Sequence, residues 1–235
     1  MLRDSKRIVF IVSTDGGVLS RLFQHDLVRS ATLLVLADRK CGAIDVANQF
    51  GVDNKIIQSK SGEEFSHSLQ REFWGLDLTF ISFYTGLLTK PFLSDHLGRV
   101  FICHPSILPA CKGLDGFGDT VKSNSLFMGC TLHEVDYGVD SGMSVIQACI
   151  PLNRATDRSV NHHKVFLAQY YSCLQFIRWI VSKKMYRNSS WHVLGARYDP
   201  DIFSPNLDSD FFDYFDIYNE LLPHSNGLNF PRDTP

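Results

Sequence analysis

His104 and Asp140 are the side chains of this 235-residue chain whose types and settings point most directly to chemistry. His104 closes the apolar run Phe101-Ile102-Cys103 and opens Pro105-Ser106-Ile107-Leu108-Pro109, a pattern that throws a loop out at the carboxyl end of a buried strand. Asp140 lies in a glycine-bearing turn, Val135-Asp136-Tyr137-Gly138-Val139-Asp140-Ser141-Gly142. Brought to one rim of a sheet, an imidazole and a carboxylate make an acid–base pair, in which the carboxylate orients the ring and favours its charged form. Taken alone, each residue has a plainer reading: a satisfied histidine behind a strand, and a turn former. Strand alternation puts Ile102 and His104 on one face and Cys103 on the other.

These side chains need elements to carry them. Residues 7–12, 31–37, 55–58, 78–83 and 100–103 are short apolar runs that read as strands, the third at an edge. Between them, residues 18–27, 41–50 and 61–73 carry helical spacing. Ser61 with Glu64 three residues on gives the last of these a capping box, and Gly51 is the expected residue just past the end of the middle one. The alternation predicts an α/β fold, doubly wound around a mostly parallel, Rossmann-like sheet whose ligands bind beyond the carboxyl ends of the strands. Residues 128–135 and 144–150 read as an antiparallel extension with the Asp140 turn between them. Residues 157–184 read as one long helix with a wide apolar face.

From residue 186 the composition changes. Residues 199–216 hold six Asp and no Lys or Arg, interleaved with Phe203, Phe211, Phe212, Tyr214 and Phe215, with Tyr218 just beyond. Disordered tails are poor in aromatics, so this segment is expected to pack: back on the domain, in a homodimer contact, or at the substrate. The expected organisation is a domain over residues 1–185 and an acidic, aromatic-rich C-terminal extension over residues 186–235.

A formal net charge of −2 leaves no electrostatic footprint for nucleic acid or an anionic membrane. No apolar run approaches the ~20 residues a membrane span needs. Cys41, Cys103, Cys111, Cys130, Cys149 and Cys173 are scattered without a CxxC, several in apolar runs, and read as buried free thiols of a soluble cytoplasmic protein with no metal site. Neither Cys103 nor Cys111 has a base at a telling spacing. Gly16-Gly17 follow the first strand, but G-x-G-x-x-G is absent, so the dinucleotide fingerprint is not met.

Three stretches, in order and at the family's spacing, resemble the folate-dependent formyltransferases: His-Pro-Ser-x-Leu-Pro-x-x-x-Gly from His104 to Gly113, Gly-Cys-Thr-Leu-His at 129–133, and Val-Asp-x-Gly-Val-Asp-x-Gly at 135–142. That family includes glycinamide ribonucleotide, methionyl-tRNA and amino-sugar N-formyltransferases, and the likeness runs from about residue 7 to about residue 184. It implies an enzyme of one-carbon metabolism that moves a formyl group from 10-formyltetrahydrofolate, a co-substrate, to the amine of a small molecule. The acceptor classes are an amino-sugar nucleotide, a ribonucleotide or a hydroxylated amine. His104 and Asp140 carry over as catalytic residues. The family pattern at 102–104 is Asn-x-His, whereas this chain has Ile102, which donates nothing to an oxyanion; losing one such donor typically costs about 10²–10³ in rate. Thr131 and His133 on the neighbouring strand are candidates for a replacement donor. The alternative is a catalytically impaired folate- or ligand-binding protein on the same fold.

The resemblance also implies a pterin pocket walled by Leu87, Leu88, Phe92 and Leu93 and closed by Val139 and Asp140. On the acceptor side it implies Gly16, Gly17 and Gln169. Ribonucleotide-formylating relatives have Gly-Ser-Asn at the first turn to hold the substrate phosphate, where this chain has Gly16-Gly17-Val18 and only backbone N–H groups to offer. They have a Glu where Gln169 stands. The acidic extension also differs from the larger basic C-terminal domain of the methionyl-tRNA enzymes.

Overall fold

Residues Ile8-Val9-Phe10-Ile11-Val12 are apolar at every position, as a strand covered on both faces requires. In the computed structural model, which describes residues 7–222, they form β1 (Ile8–Val12). Ile8, Phe10 and Val12 point into one hydrophobic core, and Val9 and Ile11 into another. Residues 1–6 and 223–235, the outer ends of the two expected segments, lie outside the described residues.

The chain continues as α1 (Gly17–Leu22), α2 (Asp26–Ala31), β2 (Thr32–Ala37), α3 (Gly42–Gln49), β3 (Asn54–Ile56), α4 (Gly62–Phe73), β4 (Thr79–Phe83), α5 (Lys90–Asp95) and β5 (Val100–His104). There follow α6 (Gly116–Lys122), β6 (Phe127–Glu134), β7 (Ser144–Pro151), α7 (Arg158–Val181), β8 (Met185–Arg187), β9 (Trp191–Val193), β10 (Phe203–Ser204) and α8 (Tyr214–Leu221). The main sheet runs β10-β7-β6-β5-β4-β1-β2-β3. From β5 to β3 the pairs are parallel, and β6, β7 and β10 add on antiparallel. Apolar residues of α1, α2, α3 and α7 fill the first core, and those of α4 and α5 the second. The fold is the expected doubly wound α/β sheet with its antiparallel extension.

Local signals act as anticipated at two helix ends. The Ser61 side chain accepts from the Glu64 N–H at 3.2 Å, although Glu64 returns its own bond to the Lys60 N–H rather than to Ser61. Gly51 takes φ +66 just past α3. The single helix expected over residues 18–27 is instead broken into α1 and α2. Phe23 turns into the core, edge-on to Phe10 at 5.7 Å, and His25 becomes the extended N-cap of α2. All six cysteines are free, but only Cys103, Cys130 and Cys173 are buried; Cys149 sits on the outward side of β7. Burial beside Cys130 and Cys173 pushes the Cys103 thiol up, which removes it as a nucleophile. No helix among the described residues is long and apolar enough to cross a membrane.

The described part of the extension folds back on the sheet. Phe203 in β10 pairs with Ala148 of β7 and covers the sheet edge, and Phe212, Ile217 and Leu221 join the first core. Its acids meet cations and hydroxyls of the long helix and the residues after it. Asp208 lies 3.2 Å from Arg178 and 3.3 Å from Lys184, and Tyr171 donates to Glu220 at 2.6 Å. The β8–β9 hairpin is pinned to the buried Glu134 carboxylate, which takes the Trp191 indole N–H at 3.1 Å and the Arg187 Nε at 3.2 Å. Phe203 is 1% exposed, so Phe203→Ala should cost about 3–5 kcal/mol, read as a drop in the urea midpoint. A cost below about 1 kcal/mol would show that the extension is not part of the cooperative unit.

Candidate functional site

The site is built where the sheet changes direction, on β5 between parallel β4 and antiparallel β6. Register sets the cast. Ser82 of β4, Ile102 of β5 and His133 of β6 stand directly opposite one another, so their side chains share a face. Two residues on, His104 stands opposite Thr131, which stands opposite Gln147. Asp140 reaches this row from the β6–β7 loop, held at φ +47, a left-handed conformation that Asp tolerates better than most side chains.

Asp140 lies between two imidazoles. Its Oδ2 is 3.4 Å from His104 Nδ1 and its Oδ1 is 3.5 Å from His133 Nε2. The Gly113 N–H donates to Oδ2 at 2.8 Å, which ties the carboxylate to the loop after β5. The two rings face it differently. His104 Nε2 is 2.8 Å from the Cys111 carbonyl, and a carbonyl only accepts, so Nε2 carries a proton. That end is packed so closely that a Cβ at Gly116 would meet Nε2 at 2.5 Å, which is why the position is glycine. His133 is turned the other way round: its Nδ1 is 2.7 Å from the Glu134 carbonyl, while its buried Nε2 has no hydrogen-bond partner. Burial lowers the proton affinity of His133, against the opposing pull of the Glu134 carbonyl and Asp140.

Two cavities meet at Ile102. The larger, about 540 Å³, is walled by Leu87, Leu88, Leu93, Val135 and Val139, with His133, Asp136 and Asp140 on its polar side and Lys90 and Tyr137 also bordering it. Its size and apolar walls suit a compact ring ligand such as a reduced pterin. The smaller, about 380 Å³, is bounded by Thr14, Asp15, Gly16, Gly17, His162, Phe166 and Gln169. Ser82 and Ile102 border both. Gly16 is required there by its φ of +79 and by the Ala43 Cα only 2.7 Å from where a Cβ would sit.

Of the residues singled out from sequence, Leu87, Leu88, Leu93, Val139, Asp140 and His133 border the larger cavity, and Gly16, Gly17 and Gln169 the smaller. Three are placed otherwise. Phe92 is fully buried on the inner side of α5, 5.0 Å from the Phe80 ring and 4.8 Å from His96, so it is core rather than pterin wall. Thr131 has no proton to give: its hydroxyl donates to the Ser106 carbonyl at 2.9 Å and accepts from Leu108 N–H and Gln147 Nε2. His104 borders neither cavity and sits behind Asp140. Sequence reading passed over Lys90, Tyr137, His162 and Phe166. For Lys90 the signal was Thr89-Lys90-Pro91, a helix start with proline in its first turn. For His162 and Phe166 it was their spacing of seven and three residues from Gln169 along α7, which puts all three on one face.

The family model described as "Formyl transferase" matches residues 6–169. The "Trifunctional purine biosynthetic protein adenosine-3" of Drosophila pseudoobscura pseudoobscura is 27% identical over 180 residues, covering 71% of this chain but only 13% of that protein's length. The "Phosphoribosylglycinamide formyltransferase" of Bacillus subtilis is 28% identical over 157 residues, 63% of this chain and 80% of the relative. Among solved structures, glycinamide ribonucleotide transformylase 1 from Symbiobacterium toebii superposes with a TM-score of 0.73 at 22% identity, covering 81% of this chain and 95% of that one. Phosphoribosylglycinamide formyltransferase from Anaplasma phagocytophilum does so with a TM-score of 0.74 at 20% identity, covering 85% and 98%. These two likenesses show the fold.

Burial also lowers the proton affinity of His25 and of His96, whose ring nitrogens have no hydrogen-bond partner among the described residues. Below the ordinary imidazole value of about 6.5 the unfolded chain therefore binds more protons than the folded one. The contribution of these rings to the unfolding free energy should be flat above pH ~7 and fall as the pH drops below 6.5, by at most about 1.4 kcal/mol per pH unit for each ring. Urea unfolding at pH 7.5 and 5.5 measures this. His96→Leu should make the fall shallower, and an unchanged slope would show that His96 does not contribute.

Proposed function

The chain belongs to the formyl transferase family, and we propose that it moves a formyl group from 10-formyltetrahydrofolate to the primary amine of a small molecule. That donor is the one the family uses. The observation that carries the reading is Asp140, set between His104 and His133 at the edge of a cavity of pterin size, with a second cavity on the far side of Ile102. Bound in the larger cavity, the donor supplies an electrophilic formyl carbon. Leu87, Leu88, Leu93, Val135 and Val139 would cover its ring and exclude water, and Lys90 stands by for the carboxylates of its tail. The acceptor would enter between Gly16-Gly17 and Phe166. There Gln169 is oriented by its own amide, which donates to the Cys103 carbonyl at 2.7 Å and leaves its oxygen to accept from an amine N–H. Asp140 would place its carboxylate beside the reacting centre, held by the Gly113 N–H.

Glycinamide ribonucleotide is the first acceptor to assay, because it gives the relatives their names. An amino-sugar nucleotide and a hydroxylated amine follow, because the turn at Gly16-Gly17 has no side chain to hold a phosphate. A second reading, a protein that binds folate but has lost turnover, is favoured by one observation. Ile102 stands where the resemblance places an asparagine donor, and neither Thr131 nor neutral His133 replaces it.

Incubation with 10-formyltetrahydrofolate and each amine, following tetrahydrofolate release, tests the proposal. Turnover with one of them is expected. Tight folate binding without turnover would select the second reading, and no folate binding would remove both. Asp140→Asn should lower kcat by about 10²–10⁴, and full activity in that variant would take Asp140 out of the mechanism. Ile102→Asn should raise kcat by up to about 10²; an unchanged or lower rate would mean that another donor already serves the formyl oxygen.

A further inference from the structure

We propose that His133, through Nε2, is the base that accepts the proton of the attacking amine; this rests on the formyl-transfer reading above. The assignment starts from an unpaired atom. Among the described residues, His133 is the imidazole that borders a cavity while keeping a buried ring nitrogen without a partner. Its tautomer follows from its neighbour: the Glu134 carbonyl 2.7 Å from Nδ1 requires a hydrogen there, so in the neutral ring Nε2 is a bare lone pair. The side chain is 2% exposed, and Ile102 stands opposite it across the strand pair. A lone pair aimed past a carboxylate at 3.5 Å is a poor arrangement in the resting protein and a good one once a proton arrives. The imidazolium would then lie between the Glu134 carbonyl and the Asp140 carboxylate, both already in place. Such a site stabilises a charge that exists only after proton transfer, which is where binding energy accelerates a reaction.

His104 is arranged alike, with one ring nitrogen on the Cys111 carbonyl and the other facing Asp140, but its ring borders neither cavity and so does not reach a bound amine. The titratable groups that face His133 are Asp136 and Asp140 from the β6–β7 loop and His104 from β5. The two carboxylates raise its proton affinity, while burial and His104 lower it, and burial is the largest influence. The base is therefore neutral and ready near pH 7.

The step balances without a further reactant. The acceptor N–H bond breaks, its proton passes to Nε2, and the nitrogen's electron pair forms the new bond to the formyl carbon. The bond from that carbon to the donor nitrogen breaks with its pair on the donor nitrogen, which takes the proton back from Nε2. His133 ends as it began.

Nitrogen NMR of the wild-type protein labelled at histidine provides a readout without turnover. At pH 7.5 His133 should show a protonated Nδ1 and an unprotonated Nε2, and should titrate below pH 6.5. An Nε2–H tautomer, or an imidazolium persisting at pH 7.5, would overturn the proposal. In turnover, His133→Gln should lower kcat by about 10²–10⁴, with the KM for the folate donor changed less than about threefold. The acid limb of the wild-type kcat/KM profile should follow the His133 titration seen by NMR. An active wild type whose His133→Gln variant keeps more than a tenth of kcat would remove this role and leave the formyl-transfer reading standing. A wild type that turns over no amine would remove both.

Discussion

One carboxylate between two imidazoles is the constraint on which the rest of the site depends. Asp140 cannot choose its place. A left-handed backbone at the tip of the β6–β7 loop aims it, the Gly113 N–H holds it, and the antiparallel register of β5 and β6 brings a ring to each side. The turn-around of direction at β6 lets two strands that run opposite ways deliver His104 and His133 to the same face at adjacent rungs.

The two rings are made different by their backbone partners rather than by their distances to Asp140, which nearly match at 3.4 and 3.5 Å. A carbonyl on Nε2 turns one ring away from the cavity, and a carbonyl on Nδ1 turns the other towards it. Glu134 is the hinge of this distinction. Its carbonyl orients His133, while its carboxylate, on the opposite side of the strand, is locked by Trp191, Arg187 and the Gly98 N–H. The C-terminal hairpin thus bears on the polar row through one residue without touching the cavity.

The sheet was legible in the sequence because burial on both faces leaves runs such as Ile8–Val12 with no polar position, short and rich in β-branched residues as a covered strand requires. The break between α1 and α2 was not, because it depends on Phe23 reaching Phe10 across the core. Phe92 was misplaced for a similar reason. In a loop it would have lined the cavity, but the Thr89-Lys90-Pro91 start makes a helix and rotates it inward. Distance in sequence hid the rest. Thr131 is silenced by Ser106, Leu108 and Gln147, and the acids of the extension find their cations on and after α7. The tautomer of His133 depends on which way a carbonyl points, and no residue pattern records that.

Ile102 borders both cavities with a single side chain. The rotamer that one occupant leaves it in is the rotamer the other occupant meets. Ligands filling both cavities at once would have their affinities linked through that branched, stiff side chain, and thermodynamic reciprocity would make the effect of each on the other equal in size.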